Sequence, residues 1–415
     1  MDSIVVVGGK PLQGSVTISG AKNAVLPILA ATVLCGGTHI LHNCPDITDV
    51  SDAIEILEHL GATVTRHATT LIVHTEHLQR WSIPAELMGR MRASVLFLGS
   101  LLGRFGKAEL SVPGGCPLGS RPINLHLYAM TQLGASITLQ EDRISGCVEN
   151  LHGGEIAFPY PSVGATENVL LAASVSQGTV VLKNAAKEPE IEDLIRFLQK
   201  MGADIRGSGT DTLTIRGGLS PVKTVYSIMP DRIETATFLS AAAACGGNVV
   251  LTGTRPSSIV PVIQVLRAAG CEIKQEADRL HICSNGCLNG GCCIVTAPYP
   301  GFPTDAQAIM MAAMLRAKGK SLFSETVFEA RMSHVAQLRR FGGQIDAAGT
   351  SAVVHGVSQL YGASVEAGDL RAAAALIVAA LQTPQESVIR GIKHLHRGYY
   401  NLEDKLVRLG AVIKR

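Results

Sequence analysis

Apolar residues recur along this chain in two alternating kinds of helical segment, and a short strand pattern follows each of them. In the first kind, a leucine-rich segment ends at a glycine: LEHLGATV, MTQLGASI, LQKMGADI, LRAAGCEI, LRRFGGQI and LVRLGAVI. These glycines lie about 70 residues apart and suit the left-handed C-cap that ends many helices. They are Gly61, Gly134, Gly202, Gly270, Gly342 and Gly410. The spacing predicts six copies of one structural unit.

The second kind of segment lies about half a period away and is apolar around most of its circumference. Its members are ILAATVLCGGTHILHN, LGSLLGRFGKAELSVP, LLAASVSQGTVVLKNA, LSAAAACGGNVVLTGT, MAAMLRAKGKSLFSET and IVAALQTPQESVIRGI. Helices that are apolar all round lie in interiors, and small residues let them pack closely. We therefore expect compact βαβαββ modules, an α/β (mixed α+β) fold whose sheets surround buried helices.

The chain has 415 residues, which is too long for one ordinary core and predicts two domains. The most symmetrical division places three modules in residues 21–229, with the Cys116 loop. Residues 1–20 and 230–415 then form the second domain, which the N-terminal strand segment completes. Two chain crossings between the domains predict a hinge around a cleft, a common place for ligands.

Composition narrows the class of protein. Hydrophobic residues make up 47% of the chain and charged residues 17%, which is typical of a well-packed globular protein. A net charge of +2 gives no general attraction to nucleic acid. The apolar runs are too short to span a membrane, and no secretory signal pattern opens the sequence. Ten cysteines without such a signal favour reduced thiols in the cytoplasm. None of this indicates an oligomeric state.

Four of the cysteines fall close together beside His281, namely Cys283, Cys287, Cys292 and Cys293. Their spacing matches neither paired CxxC ligands nor a Cys/His zinc finger. Cys283 ends the alternating segment RLHICS, and Cys292 and Cys293 precede another strand pattern, IVT. Strand and hairpin positions explain these cysteines, so no metal and no cofactor is expected.

The segment SVPGGCPLGSRP, residues 111–122, is the first candidate for chemistry. It places Cys116 in a loop rich in glycine and proline, with Arg121 five residues later. Such a loop can move over a ligand. A nearby guanidinium favours a thiolate and can bind an anionic group. The alternative is a surface turn that holds an inert cysteine.

Charged side chains recur where the buried helices are expected to begin. Lys22 and Asn23 precede the first such helix, where a lysine and backbone amides favour an anion. The alternative there is a capped helix with a solvated lysine. Asp305 and Asp369 both precede apolar helices and fit the role of an N-cap.

Cations form the larger part of this pattern. They are Lys22, Arg92, Arg121, Arg232, Arg331, Arg371 and Arg397. If the modules are related by approximate symmetry, these groups line one cleft. Their mutual repulsion then predicts a ligand that carries several negative charges.

Ten segments in order resemble the enolpyruvyl transferases of peptidoglycan synthesis over essentially the whole chain. They are SGAKNA, MRASV, PGGCPLGSRPINLH, SVGATEN, KEPEIEDL, PDRIETATF, YPGFPTDAQA, ETVFEARMSHV, DLRAAA and RGYYNLEDKL. The resemblance implies the two-domain enolpyruvyl transferase fold, with three βαβαββ units in each domain and the active site in the cleft between them. This agrees with the internal repeat.

The resemblance also implies a reaction. The enolpyruvyl group of phosphoenolpyruvate moves to the 3-hydroxyl of UDP-N-acetylglucosamine and phosphate leaves, without a metal. Asp305 is expected to accept the hydroxyl proton, if exclusion of water raises its pKa. Cys116 matches the general acid or transient covalent partner, in a loop that closes as a lid. Lys22, Arg121 and Arg397 are expected to bind phosphoenolpyruvate.

Further positions match the substrate contacts of the family. Those expected to contact the UDP-sugar are Asn23, Arg92, Arg121, Pro122, Ile123, Asn124, Leu125, Ser162, Val163, Gly164, Asp305 and Val327. Those expected elsewhere in the cleft are Arg232, Arg331, Asp369 and Arg371.

The sequence departs from the family pattern at four places. His396 and Asn124 stand where aspartates are usual, Tyr160 where a basic residue is common, and Ala330 where an asparagine is usual. The change at His396 removes an expected partner of Arg397. These departures leave open a non-catalytic paralogue that binds the nucleotide sugar. The shikimate-pathway transferase is disfavoured because it lacks the PGGC loop, and an RNA end-processing enzyme because the net charge is small.

Overall fold

The computed structural model describes residues 2–114, 122–220 and 223–415. These residues form two compact units. The first unit comprises the described residues between 20 and 229, and the second unit comprises residues 2–19 and 230–415. Cys116 and Arg121 lie outside the described residues.

Helices and strands alternate along the chain. The helices are α1 (Lys22–Ala31), α2 (Thr48–Leu60), α3 (Ala85–Arg90), α4 (Phe97–Phe105), α5 (Asn124–Gln132), α6 (Val163–Ala173), α7 (Pro189–Lys200), α8 (Arg232–Cys245), α9 (Val260–Ala268), α10 (Thr304–Ala313), α11 (Val335–Arg339), α12 (Leu370–Ala380) and α13 (Leu402–Arg408). Short 3-10 helices cover Arg92–Leu96, Pro256–Ser258, Met314–Arg316, Arg331–His334 and Ile392–Arg397.

The strands are mostly short. They are β1 (Ser3–Val7), β2 (Leu12–Thr17), β3 (Thr38–His42), β4 (Thr63–His67), β5 (Thr70–His74), β6 (Lys107–Ser111), β7 (Ser136–Gln140), β8 (Arg143–Cys147), β9 (His152–Ala157), β10 (Gln177–Lys183), β11 (Asp204–Arg206), β12 (Thr212–Arg216), β13 (Thr224–Ser227), β14 (Gly247–Thr252), β15 (Glu272–Gln275), β16 (Arg279–Ser284), β17 (Cys293–Val295), β18 (Lys320–Ser324), β19 (Gln344–Ala348), β20 (Ser351–His355), β21 (Ser364–Glu366), β22 (Ser387–Arg390) and β23 (Val412–Lys414).

In the first unit, the described strands form sheets in the orders β13-β3-β5-β4, β6-β8-β7 and β11-β12-β10-β9. Strand β13 pairs in parallel with β3, so the last strand of the unit completes its first module. The middle module departs from the expected pattern. Its first strand is reduced to one parallel bridge between Ser82 and Glu109, and Pro84, which has no amide hydrogen, follows two residues later.

In the second unit, the sheets have the orders β15-β16-β14-β2, β17-β18-β20-β19 and β21-β22-β1-β23. Strand β2 pairs in parallel with β14, and β1 pairs antiparallel with both β22 and β23. The N-terminal segment thus supplies a strand to two modules of this unit. Each of these modules reads strand, helix, strand, helix and two strands when its borrowed strand is included.

The apolar helices lie in the interior, as the hydrophobic pattern predicts. Helices α8, α10 and α12 contact one another in the second unit, and α1, α4 and α6 do so in the first. Every residue of α12 is buried, and Asn23 alone escapes burial in α1. Among the described residues, no helix combines the length and the apolar character that crossing a bilayer requires.

The six repeated glycines confirm the predicted helix ends. All have positive φ, between +86° at Gly342 and +112° at Gly202. Side chains disfavour this conformation, so glycine is needed where each amphipathic helix turns into the following strand. The period of the sequence therefore corresponds to a repeated backbone turn.

Replacing Gly202 with alanine tests this constraint. Besides its φ of +112°, a Cβ atom there would lie 2.8 Å from the carbonyl oxygen of Gly218. We expect Gly202→Ala to lower the free energy of unfolding by about 1 to 2 kcal/mol or more. The matched control is Gly154→Ala, because Gly154 lies in β9 with no atom within 4 Å of the added Cβ. Urea denaturation that finds equal effects of the two changes would contradict the prediction.

Candidate active site

Asp305 is the centre of the charged cluster in the second unit. It is the second residue of α10, and its Oδ1 accepts a hydrogen bond from Arg331 Nη2 at 2.8 Å. Its Oδ2 accepts from Arg371 Nε at 3.1 Å and from Arg371 Nη2 at 2.8 Å. Both guanidinium groups are almost fully buried, whereas the Asp305 side chain is 27% exposed. One partly accessible carboxylate thus joins two buried cations.

The alternative role of Asp305, as the N-cap of its helix, is wrong. Pro303 occupies the N-cap position of α10, where no side chain makes a capping bond. Asp369 does have this alternative role, because it accepts bonds from the backbone amides of Arg371 and Ala372 at the start of α12. The side chain of Asp305 is therefore available to the two arginines.

The surroundings of Asp305 favour its ionised form. Two guanidinium groups within hydrogen-bond distance stabilise a negative charge, which opposes the effect expected from exclusion of water. Burial alone would lower the pKa of Arg371, but attraction to Asp305, together with interactions with Tyr399 and Asp231, outweighs burial, and the pKa lies above its ordinary value. Both partners are accordingly charged.

Aromatic rings and a buried histidine hold the two arginines. The Arg371 guanidinium lies 5.3 Å from the centre of the Tyr399 ring, and that of Arg331 lies 5.8 Å from the Phe328 ring. His334 Nδ1 lies 3.0 Å from the carbonyl oxygen of Arg331 and must donate, because a carbonyl only accepts. Burial lowers the pKa of His334 to about 4, so its ring is neutral at neutral pH.

Arg232 and Arg397 occupy helix ends elsewhere in the second unit. Arg232 begins α8 behind the N-cap Asp231, and its guanidinium lies 5.9 Å from the Tyr299 ring. Arg397 ends the 3-10 helix over Ile392–Arg397 and is half-buried.

In the first unit, Lys22 is the first residue of α1 and is buried. Its Nζ lies 2.6 Å from Oδ2 of Asp49, in the first turn of α2. The alternative of a solvated lysine is therefore wrong. Asn23, the next residue, is exposed. The helix start presents an ion pair beside an accessible amide side chain.

Arg92 and the segment after Arg121 come together in the same unit. Arg92 Nη2 donates to the carbonyl oxygen of Pro122 at 3.3 Å. Ile123 and Leu125 are buried, whereas Asn124 is exposed at the start of α5. This contact joins two of the segments that carry the resemblance.

Ser162, Val163 and Gly164 begin α6, where the Ser162 hydroxyl accepts from the amide of Ala165. A Cβ on Gly164 would lie 3.1 Å from Cε1 of His126, so that imidazole sits against this helix start. His126 Nδ1 in turn lies 2.8 Å from Nδ2 of Asn168. Tyr160, which precedes this segment, is half exposed.

Several charged residues near these positions are evident only in the folded chain. Asp49 pairs with Lys22, and the charges of Glu188 and Glu190 act on the buried Glu167. Burial, and then the charges of Glu190 and Glu188, raise the pKa of Glu167 above its ordinary range. The segments SVGATEN and KEPEIEDL contain all three glutamates. The sequence therefore shows these residues, but it does not show that they interact in the folded chain.

The clustered cysteines lie where the strand patterns place them. Cys283 is in β16 and Cys293 begins β17, and both are exposed. In the described part of the chain, no group of three or more histidine, cysteine or acidic side chains has an arrangement that could hold a metal ion.

Comparison with known proteins gives matches over nearly the whole chain. A family model described as EPSP synthase (3-phosphoshikimate 1-carboxyvinyltransferase) matches residues 6–406. A UDP-N-acetylglucosamine 1-carboxyvinyltransferase of Thermodesulfovibrio yellowstonii is 45% identical over 417 residues, covering 100% of both chains. One of Chlorobium luteolum is 46% identical over 418 residues, covering 100% of this chain and 98% of the relative.

Solved structures show the same architecture. The enolpyruvyl transferase NikO from Streptomyces tendae superposes with a TM-score of 0.90 at 26% identity, over 99% of this chain and 98% of that one. An EPSP synthase from Acinetobacter baumannii gives a TM-score of 0.77 at 18% identity over 100% of both chains. At 18% identity, the similarity to the EPSP synthase shows a shared fold and nothing more.

His396 provides a test by pH. Its Nε2 lies 2.9 Å from Oε1 of Glu403, and this bond raises the pKa of His396 above 6.5. Burial would raise the pKa of Glu403, but the bond to His396, a backbone hydrogen bond and the charges of His396 and Arg415 together outweigh burial, so the pKa of Glu403 falls below 4.5. The contribution of His396 to the free energy of unfolding is complete below pH 6.5 and is lost as the pH rises through the raised pKa of His396. The contribution of Glu403 to the free energy of unfolding is present above pH 4.5 and is lost as the pH falls through the lowered pKa of Glu403.

We therefore expect His396→Gln to destabilise the protein more at pH 6 than at pH 9, by less than about 1 kcal/mol because His396 is half exposed. Urea unfolding at the two pH values measures the difference. High salt is the control, since it should reduce the effect. A larger effect at pH 9 would contradict the assignment of this ion pair.

Proposed function

The chain belongs to the UDP-N-acetylglucosamine 1-carboxyvinyltransferases of the enolpyruvyl transferase family, and we propose that it catalyses their reaction. It transfers the enolpyruvyl group of phosphoenolpyruvate to the 3-hydroxyl of UDP-N-acetylglucosamine and releases phosphate, the first committed step of peptidoglycan synthesis. The observation that carries the proposal is the 45% identity to a protein of this name over the full length of both chains. The enolpyruvyl transferase fold expected from the sequence is confirmed.

Asp305 is the proposed proton acceptor. Its carboxylate is ionised beside Arg331 and Arg371 and can therefore accept a proton, but the same two guanidinium groups make it a weaker base than the raised pKa expected from exclusion of water would. The proton of the sugar hydroxyl passes to Asp305 as the hydroxyl oxygen bonds to C2 of phosphoenolpyruvate, while C3 gains a proton. C3 then loses a proton as the bond between C2 and the phosphate oxygen breaks and phosphate leaves.

The remaining roles follow from the resemblance. Cys116 is the general acid at C3, or forms a transient bond to C2. Lys22, Arg121 and Arg397 bind the phosphate and carboxylate and compensate the charge that develops in the tetrahedral intermediate. The buried Lys22–Asp49 pair supports this role for Lys22, because it holds the ammonium at the start of α1.

The remaining residues singled out in the sequence are proposed to bind the UDP-sugar. They are Asn23, Arg92, Pro122, Ile123, Asn124, Leu125, Ser162, Val163, Gly164 and Val327, with Arg232, Arg331, Asp369 and Arg371 as further substrate-binding residues. The contact of Arg92 with Pro122 and the position of Ser162, Val163 and Gly164 at the start of α6 support this assignment, because helix starts bind phosphate well.

We place this reaction in the cytoplasm. The nine described cysteines are all free thiols, the state that a reducing compartment maintains. Phosphoenolpyruvate and UDP-N-acetylglucosamine are the proposed partners, and no step requires a metal, a cofactor, a nucleic acid or a membrane.

Phosphate release by the purified protein tests the function. We expect release from phosphoenolpyruvate only when UDP-N-acetylglucosamine is also present. Shikimate 3-phosphate in place of the nucleotide sugar is the control and should not support release. Binding of the nucleotide sugar without any turnover would contradict the proposal and favour a non-catalytic paralogue.

Asp305→Ala tests the proton acceptor. We expect turnover to be abolished, whereas the affinity for UDP-N-acetylglucosamine changes by less than about tenfold because the nucleotide-sugar contacts proposed in the first unit do not involve Asp305. Asp305→Asn keeps one oxygen as an acceptor for a guanidinium but cannot take up the proton, and it should be equally inactive. Asp346→Ala, which changes an exposed aspartate of the same unit, is the control. Turnover near the wild-type rate in either Asp305 variant would remove the assignment.

Cys116 is expected to react with an epoxide phosphonate such as fosfomycin, because a thiolate near cations attacks electrophiles. Intact-mass analysis should show one adduct, and Cys116→Ser should abolish it. Burial raises the pKa of Cys44 and Cys245 to about 12, so these thiols should not react. The absence of an adduct, or an adduct on another cysteine, would count against this role.

A further inference from the structure

Glu325 is a buried carboxylate that the proposed reaction does not use directly. It follows β18 and is 3% exposed. Its Oε1 accepts bonds from the Thr296 hydroxyl at 2.9 Å, the Val327 amide at 2.8 Å and the Phe328 amide at 3.1 Å. Its Oε2 accepts from the Thr304 hydroxyl at 2.8 Å. Two oxygens thus receive four bonds from three segments of the chain.

All four donors are neutral. A buried carboxyl group is unfavourable unless hydrogen bonds replace its hydration, and here three donors do so at Oε1 and one at Oε2. Glu325 therefore links the three segments to one another through a single side chain.

One of these segments is the start of α10. Thr304 is the first residue of that helix and Asp305 is the second. The bond from Thr304 to Glu325 therefore acts one residue away from the proposed proton acceptor.

A second segment is the turn that leads to Arg331. The amides of Val327 and Phe328 both donate to Glu325, and the Phe328 ring lies 5.8 Å from the Arg331 guanidinium. Arg331 in turn donates to Asp305 at 2.8 Å. The contacts form a closed ring in which Glu325 holds both members of the Asp305–Arg331 pair.

The third segment anchors this ring to the sheet. Thr296 follows β17, and its hydroxyl both donates to Glu325 and accepts from the Thr326 amide at 2.9 Å. The Thr326 hydroxyl donates to the carbonyl oxygen of Thr296. The turn after β18 is thereby attached to the end of the neighbouring parallel strand.

We propose that Glu325 is a positioning residue for the reaction. Through Thr304 it sets the orientation of Asp305, and through the Val327 and Phe328 amides it sets the turn that carries Val327 towards the nucleotide sugar and Phe328 towards Arg331. This inference rests on the proposed function, because it specifies what holds the proton acceptor in place.

Three variants separate the bond from Thr304 to Glu325 from the bonds that the Val327 and Phe328 amides donate to Glu325. Thr304→Val removes only the bond to α10, so we expect kcat to fall at least fivefold while KM for UDP-N-acetylglucosamine changes less than twofold. Glu325→Ala removes the bond from Thr304 and the bonds from the two amides, so kcat should fall and KM should rise, each at least fivefold. Glu325→Gln keeps an oxygen for the Oε1 donors, and its amide nitrogen can donate to Thr304. It should restore both constants to within threefold of the wild type.

Thr32→Val is the matched control, because the buried Thr32 hydroxyl donates to the Leu29 carbonyl oxygen at 2.7 Å, in the first unit and at the opposite end of α1 from Lys22. It should lower Tm without changing kcat or KM. If Thr304→Val behaves in the same way, the positioning role is overturned, even where Glu325→Ala does not fold. Failure of the wild type to release phosphate with both substrates would instead contradict the proposed function.

Discussion

The arrangement of this molecule depends on two buried guanidinium groups that share one carboxylate. Arg331 and Arg371 are almost fully removed from water, and each donates to a different oxygen of Asp305. A buried charge without a partner is strongly unfavourable, so these three side chains require one another. The same requirement keeps Asp305 ionised, which is the state that a proton acceptor needs.

The fold supplies the fixed positions that this cluster needs. Asp305 and Arg371 each occupy the second position of a helix, α10 and α12, and these two helices pack together in the core of the second unit. Because the helices are apolar all round, they cannot turn or slide without exposing their surfaces or leaving cavities. Charged groups at the helix starts thereby gain a precise mutual position from apolar packing alone.

Much of the fold could be predicted because its signals are local. The glycines at 68- to 73-residue intervals predicted helix ends that have the expected positive φ, and apolar helices such as α12 are buried as their composition indicates. The reduced first strand of the middle module was missed, because a single bridge leaves no alternating pattern in the sequence. The described residues do not include Cys116 or Arg121, so their assignment still rests on the PGGC segment.

The site could be predicted less completely, because its pairings join distant parts of the chain. Asp305 and Arg371 are 66 residues apart, and nothing local to Asp305 distinguishes its salt bridges from the capping role that Asp369 has. Lys22 was assigned to an anion site without Asp49, which belongs to another helix. Glu325 opens the segment ETVFEARMSHV that supports the family resemblance, but its four donors come from segments that only the folded chain brings together.

The most direct test of this account is a double-mutant cycle on unfolding free energy, with Asp305→Ala, Arg371→Met and the double variant. Asp305→Ala alone should destabilise by about 3 to 5 kcal/mol, because it leaves buried guanidinium groups uncompensated. Adding Arg371→Met should then cost much less than it does in the wild type, with a coupling energy of about 2 kcal/mol or more. Effects that add to within about 0.5 kcal/mol would show that the carboxylate does not stabilise the buried cation, and would contradict the account.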